Sequence, residues 1–207
     1  MAILIANGRN EYCQLTDINC DEEEHGFPYI KRPKYINNIP KKVSCIATGQ
    51  GHSIIVDKSG KVFGVGDNTN FQLGSFGELI FKNPVEMKFN NNSKIEWASC
   101  GYDYTIFLDE NGQLIYDGKG KVGKIIPLQN KIVFVTAGSK APVAIDTQGD
   151  MFIFDKNFDS APKMVRLPDP VYDVAVSSFF IIAVTIKGDC YGCMDLNSES
   201  TQDPHCF

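Results

Sequence analysis

Two glycines eleven residues apart occur three times along the chain, at Gly49 and Gly60, Gly101 and Gly112, and Gly138 and Gly149. A fourth copy has Ser177 in the first place and Gly188 in the second. The second glycines follow one another at about forty residues, within the roughly 40–50-residue period of blade-type repeats. The columns between the glycines repeat as well. Five places after the first position stand Ile54, Ile106, Val143 and Ile182; seven places after it stand Val56, Leu108, Ile145 and Val184. Ile55, Phe107, Ala144 and Ala183 lie between them. Short runs that are apolar on both faces suit strands sandwiched between neighbouring layers. Ala47, Ser99, Thr136 and Ala175, two places before the first position, are all small, as crowding of backbones near an axis requires.

Each copy then turns. Asp57, Asp109 and Asp146 open four-residue turns that Gly60, Gly112 and Gly149 close; Thr185 replaces Asp before Gly188. Asp favours the first corner of such a turn, and Gly tolerates the left-handed residue that ends it. The returning strands begin at Val62, Leu114, Met151 and Cys190. No segment sustains a helical period beyond two turns, so the expected class is all-β. A partial copy opens the chain: Gly8 to Leu15 lies without gaps over Gly66 to Leu73, matching Gly8, Asn10, Gln14 and Leu15 to Gly66, Asn68, Gln72 and Leu73. The expected organisation is a half repeat over 1–16, repeats at about 43–74, 95–118, 132–155 and 171–195, and a polar tail over 196–207. Longer polar connections are expected at 17–42, 75–94, 119–131 and 155–170, projecting from the rims.

Composition narrows the function. The formal charge of −5 and the absence of any block of basic residues argue against wrapping nucleic acid, which needs a cationic surplus. The longest mostly apolar stretch, 174–186, is too short to span a bilayer, and the first residues do not read as a secretory signal. The seven cysteines read as free thiols in a reducing compartment. The expectation is therefore a cytoplasmic protein, with the nucleus as the alternative compartment.

The stretch from Val43 to Gly74 carries Gly49-x-x-His52-Ser53, Asp57-x-x-Gly60, Gly64-Val65-Gly66-x-Asn68 and Gln72-Leu73-Gly74. It resembles the repeat of the regulator-of-chromosome-condensation family, and the resemblance extends more weakly over most of the chain. It implies a β-propeller of four-stranded blades. About four blades are present where the family's usual ring has seven, so a partial or open ring is expected. The resemblance also implies a structural hydrogen-bonding role for His52.

Two local motifs compete with the repeat. Gly118 to Lys124 has the glycine spacing of a phosphate loop, but Ile125 stands where the metal-binding hydroxyl belongs and no helix follows. Cys190 and Cys193, with His205 and Cys206 downstream, suggest zinc. Residues three apart on a strand point to opposite faces, however, which separates the two thiols. Neither motif calls for a cofactor or a metal, and no catalytic residue is assigned. Tyr102, Tyr104, Phe179 and Phe180 follow the first repeat position closely and are the candidate partner contacts. The functional expectation is a non-catalytic scaffold for a protein partner. The resemblance supplies the alternative, nucleotide exchange on a small Ran-like GTPase. A third reading is a diverged relative without independent activity.

Overall fold

The computed structural model describes residues 4–16, 20, 22–24, 26–36, 39–74, 77–89, 93–139, 141–178, 180–194 and 205–206, and none of these lies in a helix. Strands β1 (Ile5–Arg9), β2 (Glu22–Glu24) and β3 (Phe27–Tyr35) form a sheet in the order β1-β3-β2. The first full blade is β4 (Val43–Thr48), β5 (His52–Asp57), β6 (Val62–Asp67) and β7 (Ile80–Met87). The second is β8 (Ile95–Cys100), β9 (Tyr104–Asp109), β10 (Leu114–Gly118) and β11 (Lys121–Ile126). The third is β12 (Ile132–Ala137), β13 (Pro142–Asp146), β14 (Met151–Ile153) and β15 (Lys163–Val165). The fourth is β16 (Val171–Val176), β17 (Phe180–Thr185), β18 (Cys190–Met194) and β19 (His205–Cys206). Each of the four blades is an antiparallel meander in chain order, and the successive inner strands β4, β8, β12 and β16 meet at the hub.

The doubly apolar columns are buried between blades. Ile54 and Val56 of the first blade pack with Phe107, Ala98 and Ile115 of the second. Ile106 and Leu108 pack with Val135 and Ala144 of the third, and Val143 and Ile145 with Ile181 and Ala183 of the fourth. Alternate residues of the middle strands thus face the preceding and the following blade, and β9, β10 and β13 are buried along their whole length. The fourth blade has no following blade among the described residues, and the arc stays open. Its column residue Ile182 is 40% exposed, whereas Ile54, Ile106 and Val143 are fully buried.

The turns explain both the Asp and the second-Gly columns. The Asp57 carboxylate accepts the amides of Ser59 at 2.7 Å and Lys61 at 3.0 Å. Asp109 accepts those of Asn111 and Gln113, and Asp146 those of Gln148 and Asp150, all within 3.0 Å. The closing glycines take φ between +80° and +88°. The carbonyls of Gly60, Gly112 and Gly149 then accept the amides of Ile95, Ile132 and Val171, the first residues of the next inner strands. Thr185, at the Asp position of the fourth turn, leaves its buried hydroxyl without a partner. Thr185→Asp restores the two-amide cap and is expected to raise stability by about 1 kcal/mol, measured as a higher midpoint in urea at unchanged slope.

The structure corrects the expected connections. Segments 75–94, 119–131 and 155–170 each contain the outermost strand of a blade, β7, β11 and β15, while 17–42 contains β2 and β3. Outer strands are wet along one edge and alternate weakly, which hides them in sequence. Pro84 sits in an irregularity of the β6–β7 register, where a missing amide costs no ladder bond. The expected tail also contributes: its His205–Cys206 pairs with Tyr191 and Gly192 of β18.

Candidate functional site

The four inner strands end together on one side of the hub, where Thr48–Gln50, Cys100–Tyr102, Ala137–Ser139 and Val176–Ser178 surround a shallow recess of about 550 Å³. These are the segments around the first repeat position, so the small residues of that column form the floor. The first glycines are required by close approach. A Cβ on Gly49 would lie 2.5 Å from the carbonyl oxygen of Gly101 in the next blade, and one on Gly138 would lie 2.7 Å from that of Ser177. In the fourth copy no described blade follows, and Ser177 is tolerated.

Behind the floor lies a buried polar relay. Thr105 Oγ1 donates to the Gln72 carbonyl at 2.7 Å and lies 2.9 Å from His52 Nε2. The single hydroxyl proton is thereby committed to Gln72, so His52 must donate from Nε2. Its imidazole is neutral, since burial pushes the pKa down to about 4. His52 thus links the first blade to the second. Tyr104 holds the same repeat position in the second blade and links to the third by donating to the Gly138 carbonyl at 2.7 Å. The adjoining loop explains Asn68 and Gln72-Leu73-Gly74. Asn68 accepts the Leu73 amide and donates to the Gly74 carbonyl, while Gln72 Oε1 accepts the Asn70 amide. Asn10, Leu15, Thr16, Gln14 and Tyr12 repeat the same bonds at the start of the chain.

The candidate contacts divide. Tyr102 is 54% exposed and lines the recess, and Phe180 is 42% exposed. Tyr104 is corrected: it is fully buried in the second inter-blade core and cannot meet a partner. Its equivalence to His52 was the available signal. Phe179 lies outside the described residues. The described lining of the recess carries no carboxylate, imidazole or amine. Cys100 is its one thiol, and burial pushes its pKa up, keeping it protonated and a poor nucleophile. Such a surface offers hydroxyls, carbonyls and a phenol, which suits binding.

Away from the recess, Gly118 to Gly120 make the tight β10–β11 connection and Gly123 lies inside β11, so the phosphate-loop spacing belongs to a hairpin. Cys190 and Cys193 lie on one continuous strand, β18. Asp117, at the end of β10, is buried with the Gly123 amide donating to it, and burial pushes its carboxyl up to about 7.

Comparison with known proteins agrees with this architecture. The Regulator of chromosome condensation (RCC1) repeat matches residues 59–108, and a second form of it matches residues 43–72. The bovine (Bos taurus) Secretion-regulating guanine nucleotide exchange factor is 31% identical over 124 residues, covering 52% of this chain and 26% of its own length. The human (Homo sapiens) Probable E3 ubiquitin-protein ligase HERC3 is 32% identical over 118 residues, covering 57% of this chain and 11% of its own length. The chain therefore spans about a quarter or less of these relatives. Human WBSCR16 superposes on 100% of this chain, with 66% of its own length, at a TM-score of 0.77 and 16% identity. Yeast RCC1 (Prp20), solved bound to Kap60, covers 94% of this chain and 52% of its own length at a TM-score of 0.75 and 18% identity. At such identities the two structures speak for the fold alone.

Proposed function

We propose that this chain, which is built from regulator-of-chromosome-condensation repeats, is a non-catalytic platform that binds a protein partner at the hub recess and its aromatic rim. The observation that carries the reading is Tyr102. It stands exposed over a floor of small residues, at a place where the other copies have Gln50, Ser139 and Ser178. A large aromatic beside a concave, uncharged surface is the usual anchor of a protein interface. The open carbonyls and hydroxyls around it fix the orientation of what is bound.

The second reading is exchange of guanine nucleotide on a small Ran-like GTPase. It is favoured by the similarity to the secretion-regulating exchange factor. Exchange requires that the nucleotide-free state be held more tightly than the loaded one. The two readings separate in one experiment. A Ran-type GTPase loaded with fluorescent GDP is expected to release it at its intrinsic rate when this chain is added. A partner captured from native cells is expected to bind the Tyr102→Ala variant at least tenfold more weakly. Accelerated release would establish exchange, and undiminished binding by the variant would remove the recess from the interface.

A further inference from the structure

On the side opposite the hub recess, where the Asp57–Gly60 turn joins β5 to β6, a cleft of about 410 Å³ opens where the first blade passes into the second. Its lining carries three lysines, Lys61, Lys88 and Lys94, with the hydroxyl of Ser93 and one carboxylate, Glu86. In a chain of formal charge −5, that gathering of cations runs against the composition. Lys61 is paired with Glu86 at 3.0 Å. The ammonium groups of Lys88 and Lys94 have no partner among the described residues. The Lys94 stem is held in place, since it lies against Gly60, where a Cβ would stand 2.5 Å from its own. Ser93 Oγ accepts from Asn111 Nδ2 at 3.1 Å, which leaves its own proton to donate.

The same place in the next two blades is built without surplus charge. In the third blade Asp150 follows the closing glycine, and Arg166 follows Val165, the outer-strand residue paired with Met151. Arg166 donates from Nε to Asp150 at 2.8 Å and again from Nη2, so side chains at these two places reach one another. In the second blade the two places are Gln113 and Pro127. There Lys131, the counterpart of Lys94, donates to the Glu110 carbonyl at 3.2 Å. In the first blade the two places are Lys61 and Lys88. Positions that meet as an ion pair in the third blade are thus both cationic in the first, which is unfavourable unless an anion lies between them.

We infer that this cleft binds a phosphate monoester carried on a serine or threonine of a partner protein. Such a group brings a charge of about −1.5 to −2 and three acceptor oxygens, enough to engage the Lys88 and Lys94 ammonium groups and the Ser93 hydroxyl together. A carboxylate carries a single charge and leaves one of the two lysines unmatched. Glu86 lines the cleft and Glu110 Oε1 accepts the Lys94 amide at its edge. These carboxylates repel an extended polyanion or an anionic lipid surface, whereas one phosphate on a narrow side chain passes between them. The cleft is separate from the hub recess, and its failure leaves the recess untouched.

The probes are inorganic phosphate and a blocked alanine–phosphoserine–alanine peptide, titrated into the full chain at low ionic strength and followed by NMR at the Lys88, Ser93 and Lys94 amides. Both are expected to shift these amides saturably, the peptide at the lower concentration, and the unphosphorylated peptide to leave them unmoved. Lys88→Glu gives Lys61 an acidic partner in the manner of the third blade. It is expected to weaken phosphopeptide binding about tenfold at an unchanged urea midpoint, and Lys94→Gln to weaken it about fivefold. Lys119→Gln, on the β10–β11 connection, is expected to bind like the wild type. Absence of saturable shifts, or full affinity in both Lys88→Glu and Lys94→Gln, would overturn the proposal. So would tighter binding of inorganic phosphate, duplex DNA or phosphoinositide vesicles than of the phosphopeptide, since each would assign the cleft to that ligand instead.

Discussion

Gly149→Ala is expected to cost about 3–4 kcal/mol of folding stability, and Gly188→Ala only about 1–2 kcal/mol. The two positions share a turn and a backbone conformation, with φ of +80° and +88°. An alanine at either pays the same left-handed strain. They differ in what lies beyond. A Cβ on Gly149 would stand 2.4 Å from Cβ and 2.8 Å from Cα of Pro170, and 3.0 Å from the Val171 amide nitrogen, where the fourth blade begins. These atoms are held by the Val171 bond to the Gly149 carbonyl and cannot retreat without unstacking the blades. A Cβ on Gly188 would meet nothing within 4 Å. Equilibrium unfolding of the two variants thus subtracts the strain and leaves the inter-blade contact. Equal losses would show that the third and fourth blades are not packed as described.

The second large effect is in the pH dependence, where two buried groups act in opposite directions. The His52 pKa is lowered from the usual 6.5 to about 4, so the unfolded chain takes up its proton first. His52 therefore supports full stability above pH 6.5 and withdraws it as pH falls toward 4, by about 3 kcal/mol in all. The Asp117 pKa is raised from 3.8 to about 7, so here the folded chain holds the proton. Its contribution is fully present below pH 3.8 and is lost as pH rises toward 7, by about 4 kcal/mol. Across pH 4 to 6.5 the slopes have opposite signs and cancel, so the contribution of this pair to wild-type stability is nearly level. Asp117→Asn leaves the histidine slope exposed, and stability should fall steeply on acidification. His52→Gln leaves the aspartate slope exposed, and stability should fall as pH rises. Urea midpoints at several pH values measure both. Parallel curves for the two variants would show that at least one group is not buried as described.

The inner three strands of each blade were legible because their constraints fall on single residues. An Asp must accept two amides, a Gly must take a positive φ, and the columns between them must be apolar on both faces. The outermost strands β7, β11 and β15 were not, because one edge and much of one face meet water and little restricts their side chains. Ser177 and Thr185 are the two places where the fourth copy departs from the repeat. The structure gives Ser177 a cause, since no described blade crowds that place, and leaves Thr185 as a missing cap. The candidate site was legible in part. The place of Tyr102 beside the first repeat position marks it as exposed, whereas Tyr104, two residues on, shares the repeat position of the buried His52. What decides between them is which way a strand faces at its first residue, and periodicity starts to report that only further along the strand.

The fold requires successive hairpins to stack blade against blade around one hub, and hydrogen exchange at three amides tests this most directly. Ile95, Ile132 and Val171 donate to the carbonyls of Gly60, Gly112 and Gly149, each in the preceding blade, at 3.3, 3.0 and 2.9 Å. A stacked arc predicts that all three exchange as slowly as amides inside β9 and β13, opening only with global unfolding. Exchange at the rate of an open loop at these three positions, while the strands themselves stay protected, would contradict it.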